Sequence, residues 1–216
     1  PHAVARKDFI ERARTTEIAL GFEGAQDLNT VAVARRGIGG WVLDVNAKTG
    51  HSAGIFSQSA GYGAIYEAAR IITEFRTQLK DEKYLTFNPG LMSAGSEIKV
   101  DNANAKVEAI GKTNIISPAA YVAGDLRFIS EVQRDKAREK MTAITAQSLN
   151  GTSSTITFTD GLPAMEPTEG NYRLVKYLDK ISRDMGIGVT LAGDPGARGA
   201  GDISDIAKYV DCLDGM

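Results

Sequence analysis

Five places along the 216 residues carry side chains whose type and setting could do chemistry. His51, one of two histidines, stands in Gly50-His51-Ser52-Ala53-Gly54 directly after a strand-like run, where small neighbours leave the ring uncovered and let the loop approach a ligand. Such an imidazole can act as a hydrogen-bond donor or an acid, and the same pattern also describes a merely exposed histidine. Arg127 lies in a stretch where Val122, Gly124, Leu126 and Phe128 take one face and Tyr121, Ala123, Asp125 and Arg127 the other. With the Leu126 side in the core, Arg127 projects from the opposite face. A guanidinium held on a rigid strand suits bidentate capture of a carboxylate; an ion pair with Asp125 or plain solvation is the other reading. Asn114 sits in the polar turn Gly111-Lys112-Thr113-Asn114-Ile115-Ile116-Ser117-Pro118, where asparagine is ordinary turn chemistry. Glu23 falls where a strand should end, the place where functional side chains collect in open α/β sheets; it could ligate a metal or simply be solvated. The run from Gly193 to Asp202 is a glycine-rich loop opening onto a helix, so its amides could receive an anion. It is no phosphate loop, lacking Gly-Lys-Ser/Thr, and Gly199-x-Gly201-x-x-Ser204 misses the third glycine of the dinucleotide motif. A capping loop with Asp202 or Ser204 as N-cap is its other reading.

The elements that must position these residues follow from periodicity. The opening segment places Phe9, Ile10, Ala13 and Glu17 at helical spacing, then Ile18, Leu20 and Phe22 in alternation: helix, then strand. From Thr30, VAVARRGIGGWVLDVNAK is strand-like, with Gly37 to Gly40 read as a hairpin turn or bulge. A helix follows, striped by Ile65, Ala68, Ala69, Ile72, Phe75 and Leu79. YLTFNPGLMSAG, SEIKVDNANAKVEAIG and AAYVAGDLRFI are three further extended segments, and a second helix runs from Glu131 to about Leu149 with Ala137, Met141 and Ile144 on one face. The sum, β-α-β-β-β-α, resembles a ferredoxin-like layer: an antiparallel sheet with two helices on one face. After Asn150, STITFTDGLPAM, a helix with Leu174, Leu178, Ile181 and Met185, GIGVTLAG, and a last helix from about Asp202 return to strand and helix alternation. The expected fold class is therefore α/β, with an α+β domain over residues 30–149 inserted between two pieces of one α/β domain, 1–29 and 150–216.

Composition narrows the partners. With 25 basic against 27 acidic residues and no block of like charge, the chain carries no electrostatic footprint for nucleic acid or an anionic membrane. No apolar run approaches the roughly 20 residues of a membrane span. The single cysteine, Cys212, can make neither an internal disulfide nor a zinc-thiolate site by itself, which leaves the compartment open. The chain begins at Pro1 rather than Met and reads as an excised piece.

ALGFEGA, RRGIGGWVLDV, AKTGHSAGIF leading into GYGAIYEAARII, GKTNIISPAAYVAGDLRF, GLPAMEPTEGN and RGAGDISDIA, in this order and spacing, resemble the zinc exopeptidase family of glutamate carboxypeptidase, aminoacylase and succinyl-diaminopimelate desuccinylase. The resemblance covers nearly the whole chain. It implies an α/β catalytic domain holding two zinc ions and an inserted ferredoxin-like lid that makes a homodimer, acting on a peptide or N-acyl amino acid. Glu23 matches the glutamate that completes one zinc site. His51 matches the lid histidine that reaches into the partner subunit's active site to stabilise the oxyanion, where one donor is worth about 3 kcal/mol. Asn114 matches an asparagine that helps to position substrate, and Arg127 the arginine that clamps its carboxylate; Gly199 to Gly201 match the loop lining the substrate cleft. The implied chemistry is zinc polarisation of an amide carbonyl with a glutamate taking a proton from water.

The departures bear equally on function. The family's His-x-Asp, bridging aspartate, Glu-Glu pair and final histidine cannot be placed: His2 is followed by Ala3 and Val4, and no Glu-Glu occurs. The chain thus reads as a lid with flanking catalytic-domain pieces, truncated at both ends and inactive as it stands, its sheet edges exposed where strands are missing. The alternative from another class is a non-catalytic dimeric ferredoxin-like binding or scaffold module.

Overall fold

The computed structural model describes residues 3–25 and 27–216; Pro1 and His2 lie outside the described residues. In chain order the elements are α1 (Ala3–Ala13), β1 (Ile18–Leu20), β2 (Thr30–Val31), β3 (Gly37–Ala47), β4 (Gly50–His51), α2 (Gly63–Leu79), β5 (Thr86–Gly95), β6 (Glu97–Asp101), β7 (Lys106–Ile110), β8 (Ile115–Ile116), β9 (Ala119–Phe128), α3 (Glu131–Thr145), β10 (Thr152–Asp160), α4 (Glu169–Asp184), β11 (Leu191–Ala192) and β12 (Asp211–Leu213). They divide into two compact units: one of residues up to Gly39, Arg127–Arg134 and Asp160–Met216, the other of Gly40–Leu126 and Asp135–Thr159.

The second unit is built on a four-stranded sheet of order β10-β3-β9-β5. Its contacts run in opposing register: Ala47 N donates to Pro118 O, Lys48 N to Gly151 O, and Ser117 Oγ to Gly95 O, so the neighbours are antiparallel. Strand alternation sends Trp41, Leu43 and Val45 of β3 and Val122 and Leu126 of β9 into the core, the face expected for β9. The Trp41 ring meets Phe75 of α2 edge-on at 5.8 Å, and its indole N–H donates to Asp125 O at 3.0 Å. It lies so close over β9 that a Cβ on Gly124 would stand 2.5 Å from the indole and 2.1 Å from Asn88 O. Only a glycine leaves room there for both the indole and the Asn88 backbone.

Four local expectations are corrected. SEIKVDNANAKVEAIG is a hairpin, β6 with β7, paired from Glu97↔Ile110 to Asp101↔Lys106. Its turn forms because the Asp101 carboxylate accepts from the Ala103, Asn104 and Asn104 side-chain N–H groups. The strand at Thr152 joins the ferredoxin-like sheet beside β3 as its edge, completing β-α-β-β-α-β, because alternation alone cannot say which sheet a strand enters. Gly37 to Gly40 interrupt nothing: β3 runs through them, and Gly40 is small because Thr159 Oγ1 approaches, 2.6 Å from where a Cβ would sit. The buried stripe of α2 is Ala64, Ala68, Ile71, Phe75 and Leu79, with Ile65 half exposed and Ala69 exposed. The rotation buries Glu67 as well, which the Arg70 guanidinium satisfies through two bonds of 2.9 and 2.8 Å. In α3, Ala137, Met141 and Ile144 are buried as the spacing predicts.

The first unit holds two parallel pairs, β1 with β12 and β2 with β11, joined where Ala32 and Asp214 exchange backbone hydrogen bonds of 2.7 and 3.0 Å. Successive residues of β12 point to opposite faces. Leu213 packs with Val31, Val33, Val175, Leu174 and Leu178 under α4, and Cys212 with Ala13, Ile203, Ile206, Val210 and Met165. Thr168 caps α4, its hydroxyl accepting from Asn171 N; the buried Asn171 amide donates to Val33 O and accepts from Cys212 N. Ile181 and Met185, expected on the packed stripe of α4, are 54% and 68% exposed. Leu191 on β11 and Ile18 and Leu20 on β1 are exposed as well. The helix expected from Asp202 is only a 3-10 turn over Asp202–Asp205, followed by further turns before β12 begins at Asp211.

Gly124→Ala should lower stability by about 1–3 kcal/mol, since neither Trp41 nor the Asn88 backbone can withdraw. Urea unfolding measures it, and a loss under 0.5 kcal/mol would contradict the packing of Trp41 on β9.

Candidate functional site

In the second unit the structure brings His51 and Asn114 together. β4 pairs with β8 antiparallel, His51 opposite Ile115, and Ser52 N donates to Asn114 O at 2.9 Å. Thr49 Oγ1 secures the same pair through Ile116 O at 3.1 Å. Both side chains are exposed. His51 Nδ1 accepts from Ala53 N at 3.2 Å, the imidazole serving as the cap of the turn Ser52–Gly54. A neutral imidazole with Nδ1 accepting carries its proton on Nε2, so His51 presents an N–H donor on its far side. Asn114 occupies the turn its sequence describes, closed by Ile115 N donating to Lys112 O.

In the first unit the remaining candidates collect at the carboxyl ends of the short parallel strands, the usual functional edge of an α/β sheet. Arg127 Nη1 lies 3.5 Å from where a Cβ on Gly199 would stand, so the guanidinium and the glycine-rich loop are neighbours. That loop is closed by Asp194, whose carboxylate accepts from Gly196 N. Gly201, and neither Asp202 nor Ser204, is the residue that caps the 3-10 turn, with no side-chain cap. A Cβ on Gly201 would stand 3.2 Å from Arg35 Nε and 3.4 Å from Asp214 Oδ2.

Arg35 and Asp214 form a buried ion pair, 5% and 0% exposed, with Nε to Oδ2 at 2.7 Å and Nη2 to Oδ2 at 2.6 Å. Around it the chain is tied at several points: Arg35 Nη2 donates to Glu23 O, and Asp214 Oδ1 accepts from Gly215 N at 2.7 Å and Glu23 N at 3.4 Å. Arg198 Nη2 adds a bond of 3.3 Å to Glu23 O. What the structure fixes at Glu23 is thus its backbone, while its side chain is exposed and borders an open cleft of 450 Å³ with Phe9, Leu20, Phe22, Asp202 and Asp214. Sequence reasoning passed over Arg35 and Asp214. The available signal was a charge at the end of an apolar strand, Cys212-Leu213-Asp214, which cannot be buried without a partner.

A second cleft, of 740 Å³, is lined by Arg6, Glu131, Glu166, Asp205 and Lys208 among others and holds none of the candidates. Among the described residues no three His, Cys, Asp or Glu side chains gather where they could hold a metal ion. Asp214, beside Glu23, has its oxygens committed to Arg35 and backbone amides. Cys212 is buried, and burial first, then the charges of Asp211 and Asp214, push its thiol up to about 12. It is not a nucleophile. No helix among the described residues is long and apolar enough to cross a membrane.

Two measurements check this geometry. Arg35→Met should destabilise by about 3–5 kcal/mol, because it strands a buried carboxylate, and Arg35→Met with Asp214→Leu should recover much of that loss. Equal stabilities for wild type and the single variant would contradict the pairing. Cys212 should resist a thiol-specific disulfide reagent at pH 8 until denaturant unfolds the chain; labelling of the native protein within minutes would contradict its burial.

A family model described as the peptidase dimerisation domain matches residues 33–152. No curated protein matches the chain. Among solved structures, the chain is similar to the aminopeptidase PepT from Bacillus cereus ATCC 10987, at 16% identity and TM-score 0.69, covering 98% of this chain and 52% of that one. It is similar to a tripeptidase from Staphylococcus aureus subsp. aureus Mu50, at 16% identity and TM-score 0.64, covering 92% and 48%. A hydantoinase/carbamoylase family amidase from Burkholderia phymatum matches at 11% identity and TM-score 0.61, covering 91% and 46%. The chain spans about half the length of these proteins, and the likeness at such identities is one of fold. The ferredoxin-like layer that carries His51 and Asn114 is the matched region, and the chain belongs to the peptidase dimerisation-domain family.

Proposed function

We propose that this chain is the lid, with flanking pieces of catalytic fold, of a zinc-dependent exopeptidase or amidohydrolase that works as a homodimer. The observation that carries the reading is the exposed His51 on the matched domain, its loop tied to Asn114 through Ser52 N and its Nδ1 held by Ala53 N, which leaves Nε2 as the group to meet a ligand. An imidazole oriented by a backbone amide is well suited to donate to an oxyanion at no cost in reorganisation. In this reading His51 serves the active site of a second copy, and the dimer completes each site. Asn114 orients the substrate. Arg127, packed against Gly199, takes the free carboxylate next to the scissile amide, which gives a carboxypeptidase-like preference. Gly201 lines the cleft, and Glu23 contributes to a metal site whose other ligands cannot be placed in this sequence. The solved proteins of similar fold include an aminopeptidase, a tripeptidase and an amidase, which supports hydrolysis of amide bonds as the class of reaction. The chain alone is catalytically silent in this reading.

The test uses the full-length parent with an N-acyl or peptidyl glutamate substrate. Metal-dependent release is expected, and His51→Ala should lower kcat about a hundredfold or more while zinc content stays unchanged. Absence of any metal-dependent release by the parent would overturn the enzymatic reading. Loss of zinc from His51→Ala would overturn the lid assignment.

A further inference from the structure

The segment between His51 and α2 folds back on itself. Ile55 N donates to Ser52 O, Phe56 N to Gly61 O and Gly61 N to Ser57 O, while Ser57 Oγ accepts from Ala60 N. Phe56 is held at φ 71, a conformation bulky side chains avoid, with its ring edge-on to Tyr62 and Tyr66 at 5.4 and 5.3 Å. A strained residue of this kind persists only where its surroundings over-determine it.

Those surroundings are a crossing of two chain segments. Gly61 at φ 75 and Gly151 at φ 79 meet backbone to backbone: a Cβ on Gly61 would lie 2.2 Å from Asn150 O and 3.0 Å from Gly151 Cα, and one on Gly151 would lie 3.2 Å from Gly61 Cα. Asn150 and Gly151 then grip the chain on both sides of His51. Lys48 N donates to Gly151 O at 3.0 Å, three residues before the histidine; Tyr62 N donates to Asn150 O at 3.1 Å, and Asn150 Nδ2 donates to Gln58 O at 3.0 Å, after it. The gripping segment is itself anchored to α2. Leu149 N donates to the buried Glu67 carboxylate, and Arg70, paired with Glu67, donates to Ile144 O and Gln147 O at the end of α3. His51 is exposed and makes one bond of its own, yet the backbone on either side of it is fixed to one anchored turn.

The geometry points to Gly61 and Asn150 as positioning residues: their crossing holds the His51 loop so that Nε2–H keeps one direction. The inference rests on the reading of His51 as an oxyanion donor. A group that must meet a developing charge has to be held within fractions of an ångström, and a displacement of about 1 Å costs on the order of a hundredfold in rate.

The experiment compares Gly61→Ala, Asn150→Ala and His51→Ala in the full-length parent, by steady-state kinetics, amide hydrogen exchange over residues 52–62, and the histidine 15N signals that report the tautomer. Gly61→Ala is expected to lower kcat about tenfold or more with KM within about twofold, to raise exchange in the loop, and to mix the His51 tautomers. Asn150→Ala removes only an exposed side-chain bond, so it folds, and should show the same changes at a smaller scale. Native kcat, exchange and tautomer in both crossing variants, alongside a crippled His51→Ala, would overturn the positioning role and leave the donor reading intact. Native kcat in His51→Ala would overturn the donor reading and the positioning role with it.

Discussion

One guanidinium, Arg35, buried against one carboxylate, Asp214, sets the geometry at the carboxyl ends of the first unit's parallel strands. Burial of either charge alone would cost several kcal/mol, so the two segments that carry them, at the ends of β2 and β12, are obliged to meet. Their spare hydrogen-bonding capacity then dictates the rest. Asp214 takes the amides of Gly215 and Glu23, and Arg35 takes the Glu23 carbonyl. Gly201 must be small to pass over the pair, and Gly21 likewise, since a Cβ there would lie 2.3 Å from Asp214 Oδ1. Four short segments far apart in sequence are brought to one edge by a single electrostatic requirement, and the exposed side chain of Glu23 stands where it does because its backbone is tied there.

The second unit is ordered by different means. Its sheet and helices are held by shape, with Trp41 laid over Gly124 and against Phe75, and the loop that presents His51 is held by backbone contacts between glycines. The buried Glu67, paired with the part-buried Arg70, lies under the turn that grips this loop. In both units the residues that could meet a ligand are exposed or half-buried, and the order they need comes from buried groups behind them. A preorganised site requires this division: the groups that touch ligand are held by packed and hydrogen-bonded supports behind them.

The candidate residues were legible because their settings are local. A histidine between glycines, an arginine on a strand, and a glycine-rich loop can each be recognised within ten residues, and their order along the chain carried the family likeness later matched by the dimerisation-domain model. The helical stripe of α3 and the inward face of β9 were legible for the same reason, since side-chain direction follows from period. Legibility failed where two distant segments compete for one position. Alternation in STITFTD marks a strand but cannot tell that β3 takes it; the period of α2 cannot tell that Arg70 makes a buried Glu67 tolerable; and Gly37 to Gly40 suggest a hairpin turn or bulge, whereas their small size serves neighbours from elsewhere in the chain.

The sequence by itself determined the period of elements such as α3 and β9, the charge balance, the single thiol and which residue types could do chemistry, because these are properties of a residue and its nearest neighbours. Only the tertiary structure decided which partner each buried polar group would have. Arg35 and Asp214 are 179 positions apart, and nothing local distinguishes an arginine that will be solvated from one that will neutralise a buried carboxylate. The same holds for the tautomer of His51, which is set by where the Ala53 amide points, and for the crossing at Gly61, which exists only once α3 has brought Asn150 and Gly151 beside it.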